Sequence, residues 1–439
     1  MDILDYFKGK KITVMGLGVL GRGTGDTAFL AKYAADIIVT DLKTKDELKD
    51  SLKDLEAYPD IKYVLGEHRL EDFRDRDMIL KAAGVPLDSP YVAEALKNNI
   101  PVEMSASLVT QFSEAIIVGV TGTRGKSTVT HLIHHILRAA KKDVCLGGNV
   151  RGIGTLELLN KTGKGSVIVM ELDSWQLQGF GTVHISPDIA VFTTFLPDHM
   201  VYYKNSMEDY WNDKVNIFKW QTKEQQLIIG KNVAKRINKE KPKSSVTVTS
   251  SKKLPKDWNL KILGEHNRDN VSLAIEVVRI LNIDENIIKE AVEGFDGVPG
   301  RLQFVKEVKG VKIYNDNSAT TPEATIAALL ALGDDIVLIM GGFDKGLDMK
   351  SLISEIPKHC KAVVLFKENG TDRILGDVKK LNGVDVYEEE SLVNCVKKAI
   401  SITELGDTLL YSPAFASFGK YFKNEYDRND QFMALVKKL

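Results

Sequence analysis

The chain has 439 residues, 44% hydrophobic and 27% charged, a composition of folded domains with room for two or three cores rather than of disordered or fibrous protein. Fifty-nine Lys and Arg against sixty Asp and Glu leave a net charge of -1, which excludes a global basic field for nucleic acid or anionic lipid, so any anionic ligand must be met locally. Cys145, Cys360 and Cys395 lie far apart with no CxxC pair and read as reduced structural thiols.

Met1 to Lys11 carries Asp2, Asp5 and three lysines where a secretion signal needs an apolar stretch. Runs such as Ile336–Met340 and Ala362–Phe366 have strand length, short of the roughly 20 residues of a membrane helix. A cytoplasmic protein without membrane insertion is expected. Short β-rich runs at Ile12–Met15, Ile37–Thr40, Ile116–Val120 and Val167–Met170 alternate with helical patterns, the rhythm of parallel α/β sheets. The pattern occurs three times, with breaks near Leu108–Glu114 and at Gly297-Val-Pro-Gly300. Three domains are expected: a Rossmann-like amino-terminal domain over 1–110, a central P-loop ATPase domain over 111–297 and a Rossmann-like carboxy-terminal domain over 298–439.

In chain order, Gly16-Leu-Gly18-Val19-Leu20-Gly21 follows the first strand and opens a helix, and Asp41 closes the next strand. Alone this is a dinucleotide fingerprint and suggests NAD, but the same geometry cradles any diphosphate at a helix N-terminus.

The strongest signal is Gly119-Val-Thr-Gly122-Thr123-Arg-Gly125-Lys126-Ser127-Thr128, between an apolar strand and an amphipathic helix. Glycine-loop N–H groups and the helix terminus favour phosphate, Lys126 reaches the β/γ-phosphates, and Ser127 or Thr128 offers a hydroxyl to Mg²⁺. ATP is the expected co-substrate. His131, His134 and His135 follow on that helix without an acidic partner and are read as ordinary histidines. Glu171 and His199 follow two further strands, on the sheet edge where open α/β folds bind ligands. Mg²⁺ retains several waters, so one carboxylate, one hydroxyl and phosphate oxygens suffice for it. Lys231–Asp257 is lysine-rich and weakly patterned and predicts solvated loops and short edge strands.

The phosphate loop departs from GxxxxGK[ST], since its glycines stand at 119 and 122, and it resembles the loop of the Mur and folylpolyglutamate ligase superfamily. The likeness to the Mur ligase family runs through the whole chain. It implies that Gly18, Val19, Leu20, Gly21, Asp41 and Gly84 serve a UDP-linked substrate. It implies a metal set of Ser127, Glu171, His199 and Lys214, with Lys214 open to carbamylation, and a catalytic set of Lys126, Asn149, His199 and Lys214. Asn270, Arg301 and Asp316 would complete the nucleotide site when the last domain closes, excluding water from an activated carboxylate.

Ser412-Pro-Ala-Phe-Ala-Ser417 and Asn315-Asp-Asn-Ser318-Ala-Thr320 resemble the members that add D-glutamate to UDP-N-acetylmuramoyl-L-alanine through an acyl phosphate. Ser318, Thr320, Lys345 and Ser417 are then the amino-acid-binding residues. Two departures stand out: Asp173 occupies a position where a small hydroxyl residue is common, and Ser318 replaces a lysine that contacts a substrate carboxylate. Another cation, Lys345 or Lys420, or a backbone nest is expected to hold that carboxylate. A monomer is expected.

Overall fold

The computed structural model describes residues 3–34, 36–417 and 419–439; Met1 and Asp2, which belong to the first segment quoted above, lie outside the described residues. The strands form three sheets, and the chain divides into two compact units. The first unit comprises 1–253 and 270–288, the second 254–269 and 289–439.

The first unit holds two all-parallel sheets. One is built from β1 (Lys11–Met15), β2 (Asp36–Asp41), β3 (Lys62–Leu65), β4 (Met78–Lys81) and β5 (Val102–Glu103), in the order β3-β2-β1-β4-β5. The other comprises β6 (Ile116–Thr121), β7 (Val144–Gly148), β8 (Val167–Glu171), β9 (Ile189–Phe192), β10 (Gln226–Gly230) and β11 (Ser245–Thr249), ordered β11-β10-β9-β6-β8-β7. The second unit carries β12 (Gln303–Val308), β13 (Val311–Asn315), β14 (Ile336–Met340), β15 (Cys360–Phe366), β16 (Asp385–Glu389) and β17 (Thr408–Tyr411), ordered β12-β13-β17-β14-β15-β16. In this sheet, among the described strands, β12 alone runs antiparallel.

Successive residues of a strand face opposite sides, so a sheet covered by helices on both faces needs continuous apolar runs. β14 illustrates this: Ile336, Leu338 and Met340 enter one core, Val337 and Ile339 the other. In the first unit one continuous core runs from Phe7, Ile12 and Val14 through Leu108 and Val109 to Phe192, Trp211 and Ile237, joining both sheets, while Met15, Phe73 and Ile79 belong to a separate cluster.

Two expectations gain detail here. The stretch 108–114 is not irregular: the helix Ser105–Phe112 covers most of it, held by burial of Leu108 and Val109. Within 231–257 the edge strand β11 appears as expected, but Lys231–Ile237 is helical, with Val233 and Ile237 buried under a lysine-rich surface. No helix among the described residues is long and apolar enough to cross a membrane.

Candidate active site

β6 lies centrally in its sheet, and the chain returns on either side of it, so its C-terminal end is the switch point where α/β sheets open a crevice. The phosphate loop occupies that end. Gly125 precedes the helix Lys126–Ala139 at φ 89°, and a Cβ there would collide with the Asn270 side chain, so the close seat of Asn270 against the loop requires glycine. Thr123 N–H donates to the Thr194 carbonyl (2.7 Å) and Arg124 N–H to Thr194 Oγ1 (2.8 Å), which staples the loop to the end of β9. Lys126 Nζ bends back onto the carbonyls of Gly122 (3.0 Å) and Thr123 (3.3 Å). Ser127 and Thr128 are buried in the first helical turn.

Lys214, on the helix Met207–Val215, is 1% exposed, and its Nζ donates to the Gly122 carbonyl (2.9 Å) and Thr121 Oγ1 (3.4 Å). Burial, then the charge of Lys126, holds its amine well below the usual lysine range.

Asn149 and Glu171 meet beside this loop. β7 and β8 pair in register as far as Gly148 and Glu171, and Asn149 N–H donates to the Glu171 carbonyl (2.7 Å). Asn149 Nδ2 reaches Glu171 Oε1 at 3.4 Å. The His199 ring lies tilted against Trp175 with ring centroids 4.7 Å apart, and burial lowers its pKa, with Lys126 and Lys214 acting in the same sense and Asp198 opposing them.

Asp173 has a local explanation. It caps the helix Ser174–Val183, accepting from Gln176 N–H while Gln176 Oε1 accepts from Asp173 N–H. The described residues contain no group of three or more His, Cys, Asp or Glu able to hold a metal, so no all-protein cage is present. The buried Glu171 carboxylate and the Ser127 hydroxyl suit a Mg²⁺ that draws its other ligands from phosphate and water. His131 Nδ1 pairs with the Ser127 carbonyl (2.9 Å), and burial pushes His134 down to about 4.

In the same unit a cavity of about 480 Å³ opens at the C-terminal ends of β1, β2 and β4. It is lined by Gly18, Val19, Leu20, Asp41 and Gly84 of the expected set, while Gly21 instead precedes the helix Arg22–Ala31 and packs on Gly152. Asp41 is a brace within this wall: one carboxylate oxygen accepts from Gly18 N–H and the other from Lys43 N–H, each at 2.9 Å.

Two residues missed in the sequence also line the cavity, Arg22 and Lys81. Lys81, 2% exposed, donates to the carbonyls of Ala82 (3.2 Å), Ala83 (3.5 Å) and Val85 (2.7 Å). Burial lowers its pKa to about 8. Its sequence signal was a lone lysine ending an apolar strand just before Gly84.

In the second unit, three loops converge at the C-terminal ends of β13, β14 and β17. Ala414 N–H donates to the Ala319 carbonyl (2.8 Å), and Phe343 and Ala416 exchange backbone hydrogen bonds (3.1 Å each). This gathers Asp316, Ser318, Thr320, Lys345 and Ser417. Lys345 Nζ lies 3.2 Å from Thr320 Oγ1, whereas Lys420 Nζ lies 5.4 Å from the Tyr421 ring centroid. Asp316 is buried, accepting from Leu302 N–H (2.9 Å) and the Ser412 hydroxyl (2.9 Å), and burial raises its carboxyl to about 7. Arg301 beside it is exposed. Arg428, also unforeseen as a strut, is 1% exposed and donates to Asn317 Oδ1 (2.9 Å), the Asn317 carbonyl (2.8 Å) and the Phe415 carbonyl (3.1 Å), bracing two of these loops.

Three family models match: the Mur ligase MurD-like N-terminal domain over 10–103, the Mur ligase middle domain over 120–274 and the Mur ligase glutamate ligase domain over 300–415. Among curated relatives, proteins named UDP-N-acetylmuramoylalanine--D-glutamate ligase include one from Borreliella afzelii, 35% identical over 99% of both chains. One from Roseiflexus sp. is 35% identical over 98% of both.

Two solved structures share the fold at low identity. UDP-N-acetylmuramate-alanine ligase from Thermotoga maritima aligns with a TM-score of 0.63 at 19% identity, covering 98% of this chain and 99% of that one. The MurF ligase of the same organism, in complex with ADP, aligns at 0.62 and 16% identity, covering 100% and 98%. With its phosphate loop, its Asn149–Glu171 edge and relatives matched from end to end, the chain belongs to the Mur ligase family.

Proposed function

We propose that this protein is the ATP-dependent ligase that joins D-glutamate to UDP-N-acetylmuramoyl-L-alanine in peptidoglycan synthesis. The observation that carries the reading is the adjacency, inside one compact unit, of a diphosphate-type cavity and a phosphate loop, with Asn149 and Glu171 between them. End-to-end identity of 35% to relatives bearing that name supports the amino-acid choice.

In this reading the γ-phosphoryl group of ATP passes to the substrate's free carboxylate, ADP leaves, and the D-glutamate amine displaces phosphate from the acyl phosphate. Lys126 neutralises the transferring group, and Asn149 orients the carboxylate. Glu171 and Ser127 would hold Mg²⁺, which when bound supplies charge neutralisation on the phosphates. His199, whose ring is tilted against Trp175, would position the reacting groups. A lowered pKa favours the neutral amine of Lys214, the form that reacts with CO₂ to give a carbamate, and a carbamate would add a carboxylate beside the loop. Asn270 would face adenine, with Arg301 and Asp316 on the ribose and phosphates. Ser318, Thr320, Lys345 and Ser417 would receive D-glutamate. The cytoplasm is the proposed location and a monomer the proposed state.

Ser318 favours one other reading, a Mur ligase that adds a different amino acid. Phosphate release from purified protein with MgATP and UDP-N-acetylmuramoyl-L-alanine, each amino acid supplied separately, distinguishes the two. Release with D-glutamate alone supports the proposal, and release with another amino acid instead overturns the specificity. Lys126→Ala is expected to remove turnover and keep the fold, and near-normal activity in that variant refutes its role.

A further inference from the structure

Arg22 follows the glycine turn directly and opens the helix Arg22–Ala31. Its guanidinium is half-buried, lines the cavity together with Gly148, Thr155 and Gln176, and hydrogen-bonds through Nη1 to Asn149 Oδ1. Because the Asn149 oxygen is taken by Arg22, its amide nitrogen is the end that faces Glu171 (3.4 Å). One arginine thereby fixes which way the Asn149 amide points.

The segment carrying Asn149 is tied to the start of the same helix. Gly152 N–H donates to the Leu20 carbonyl (2.9 Å), and Leu156 N–H donates to Asp26 Oδ1 (2.8 Å). Gly25 and Gly154 leave no room for a Cβ at their crossing: one built on Gly25 lies 2.8 Å from Gly154 Cα. Arg22 therefore stands on a rigid seat at the junction of cavity and phosphate loop. Asp26, the acidic neighbour on its helix, has one oxygen committed to Leu156 and is itself raised by burial to about 6. A guanidinium has five N–H donors in a planar fork, and the single bond to Asn149 leaves others for an anion entering from the cavity.

We propose that Arg22 binds the acceptor carboxylate at the inner end of the cavity and holds it against Asn149, so that the group to be phosphorylated is presented to the nucleotide by a residue of the amino-terminal sheet's own helix. The proposal rests on reading the cavity as the UDP-substrate site.

The test is calorimetric binding of three ligands, UDP, UDP-N-acetylmuramoyl-L-alanine and its C-terminal carboxamide, to wild type, Arg22→Lys and Arg22→Gln. Wild type is expected to prefer the carboxylate over the carboxamide by about tenfold or more, the worth of a charge-assisted hydrogen bond. In Arg22→Gln the preference should fall to within about threefold and kcat should drop, with UDP affinity unchanged; Arg22→Lys should lie between, keeping charge without the fork. Arg22→Gln with wild-type carboxylate preference overturns the proposal. Equal loss of affinity for all three ligands also overturns it, since Arg22 would then only support the fold. If wild type binds none of the three, the cavity reading itself fails and the proposal with it.

Discussion

Replacing Asp316 with asparagine is expected to stabilise the second unit at alkaline pH and to impair the enzyme. Asp316 is buried, and its folded pKa of about 7 stands above the ordinary aspartate value of 3.8. A group raised in this way favours folding in its protonated form. Its full contribution is present below the unfolded pKa and is lost progressively as pH rises through about 7. At 1.36 kcal/mol per unit, a shift of roughly 3 units makes the ionised carboxylate about 4 kcal/mol less favourable in the fold above pH 8. Between pH 5 and pH 8 the change is about 2–3 kcal/mol.

Asparagine keeps the shape. Its carbonyl accepts from Leu302 N–H, and its amide donates to Ser412 Oγ, which retains its bond to Thr325 Oγ1. Chemical denaturation of wild type and Asp316→Asn at both pH values isolates this residue, because all other titrations cancel in the comparison. The variant should gain on wild type by about 2–3 kcal/mol on going from pH 5 to pH 8. A pH-independent difference between the two proteins refutes the reasoning.

Lys81→Met removes a buried amine whose pKa of about 8 lies below the ordinary lysine value of 10.5, so wild type should gain stability as pH rises from about 8 to 10.5 and the variant should not. An alkaline rise that persists in Lys81→Met, followed by thermal melting, rules out Lys81 as its source. Gly125→Ala drives a Cβ into Asn270 at a positive φ and should weaken ATP binding by about tenfold or more while UDP binding stays as in wild type. Unchanged ATP affinity by titration would show that the loop yields easily. Lys345→Met should raise the KM for D-glutamate about tenfold or more with the KM for ATP unchanged, as expected for a lost charge-assisted contact. A KM unmoved by this change removes Lys345 as the replacement for the lysine absent at 318.

The three parallel-rich sheets were legible because their central strands are buried on both faces, which forces runs such as Ile336–Met340 into the sequence. The phosphate loop was legible for a different reason: its glycines answer steric demands that no other residue meets, as at Gly125. Arg22, Lys81 and Arg428 were not, because a long cation looks the same in sequence whether it reaches solvent or folds inward onto carbonyls. Only the tertiary partners of Arg428, Asn317 and Phe415, mark it as a strut. The helix Ser105–Phe112 was hidden in the same way: its stability lies in the burial of Leu108 and Val109 rather than in any capping signal. Asp173 shows the converse, a departure from a pattern that a local capping box explains.

The core that runs unbroken from Phe7 to Ile237 sets how the protein can be divided. A fragment ending near residue 110 would carry the whole first sheet yet strand one apolar wall of it, Ile12, Val14, Leu80 and their neighbours, without the residues that seal the other side of the same core. Such a piece is expected to aggregate or to need a partner fragment beginning near residue 111, and the two should reassemble on mixing as halves of a split protein. The seam at 110 is thus a place where the chain can be cut only if both halves are kept.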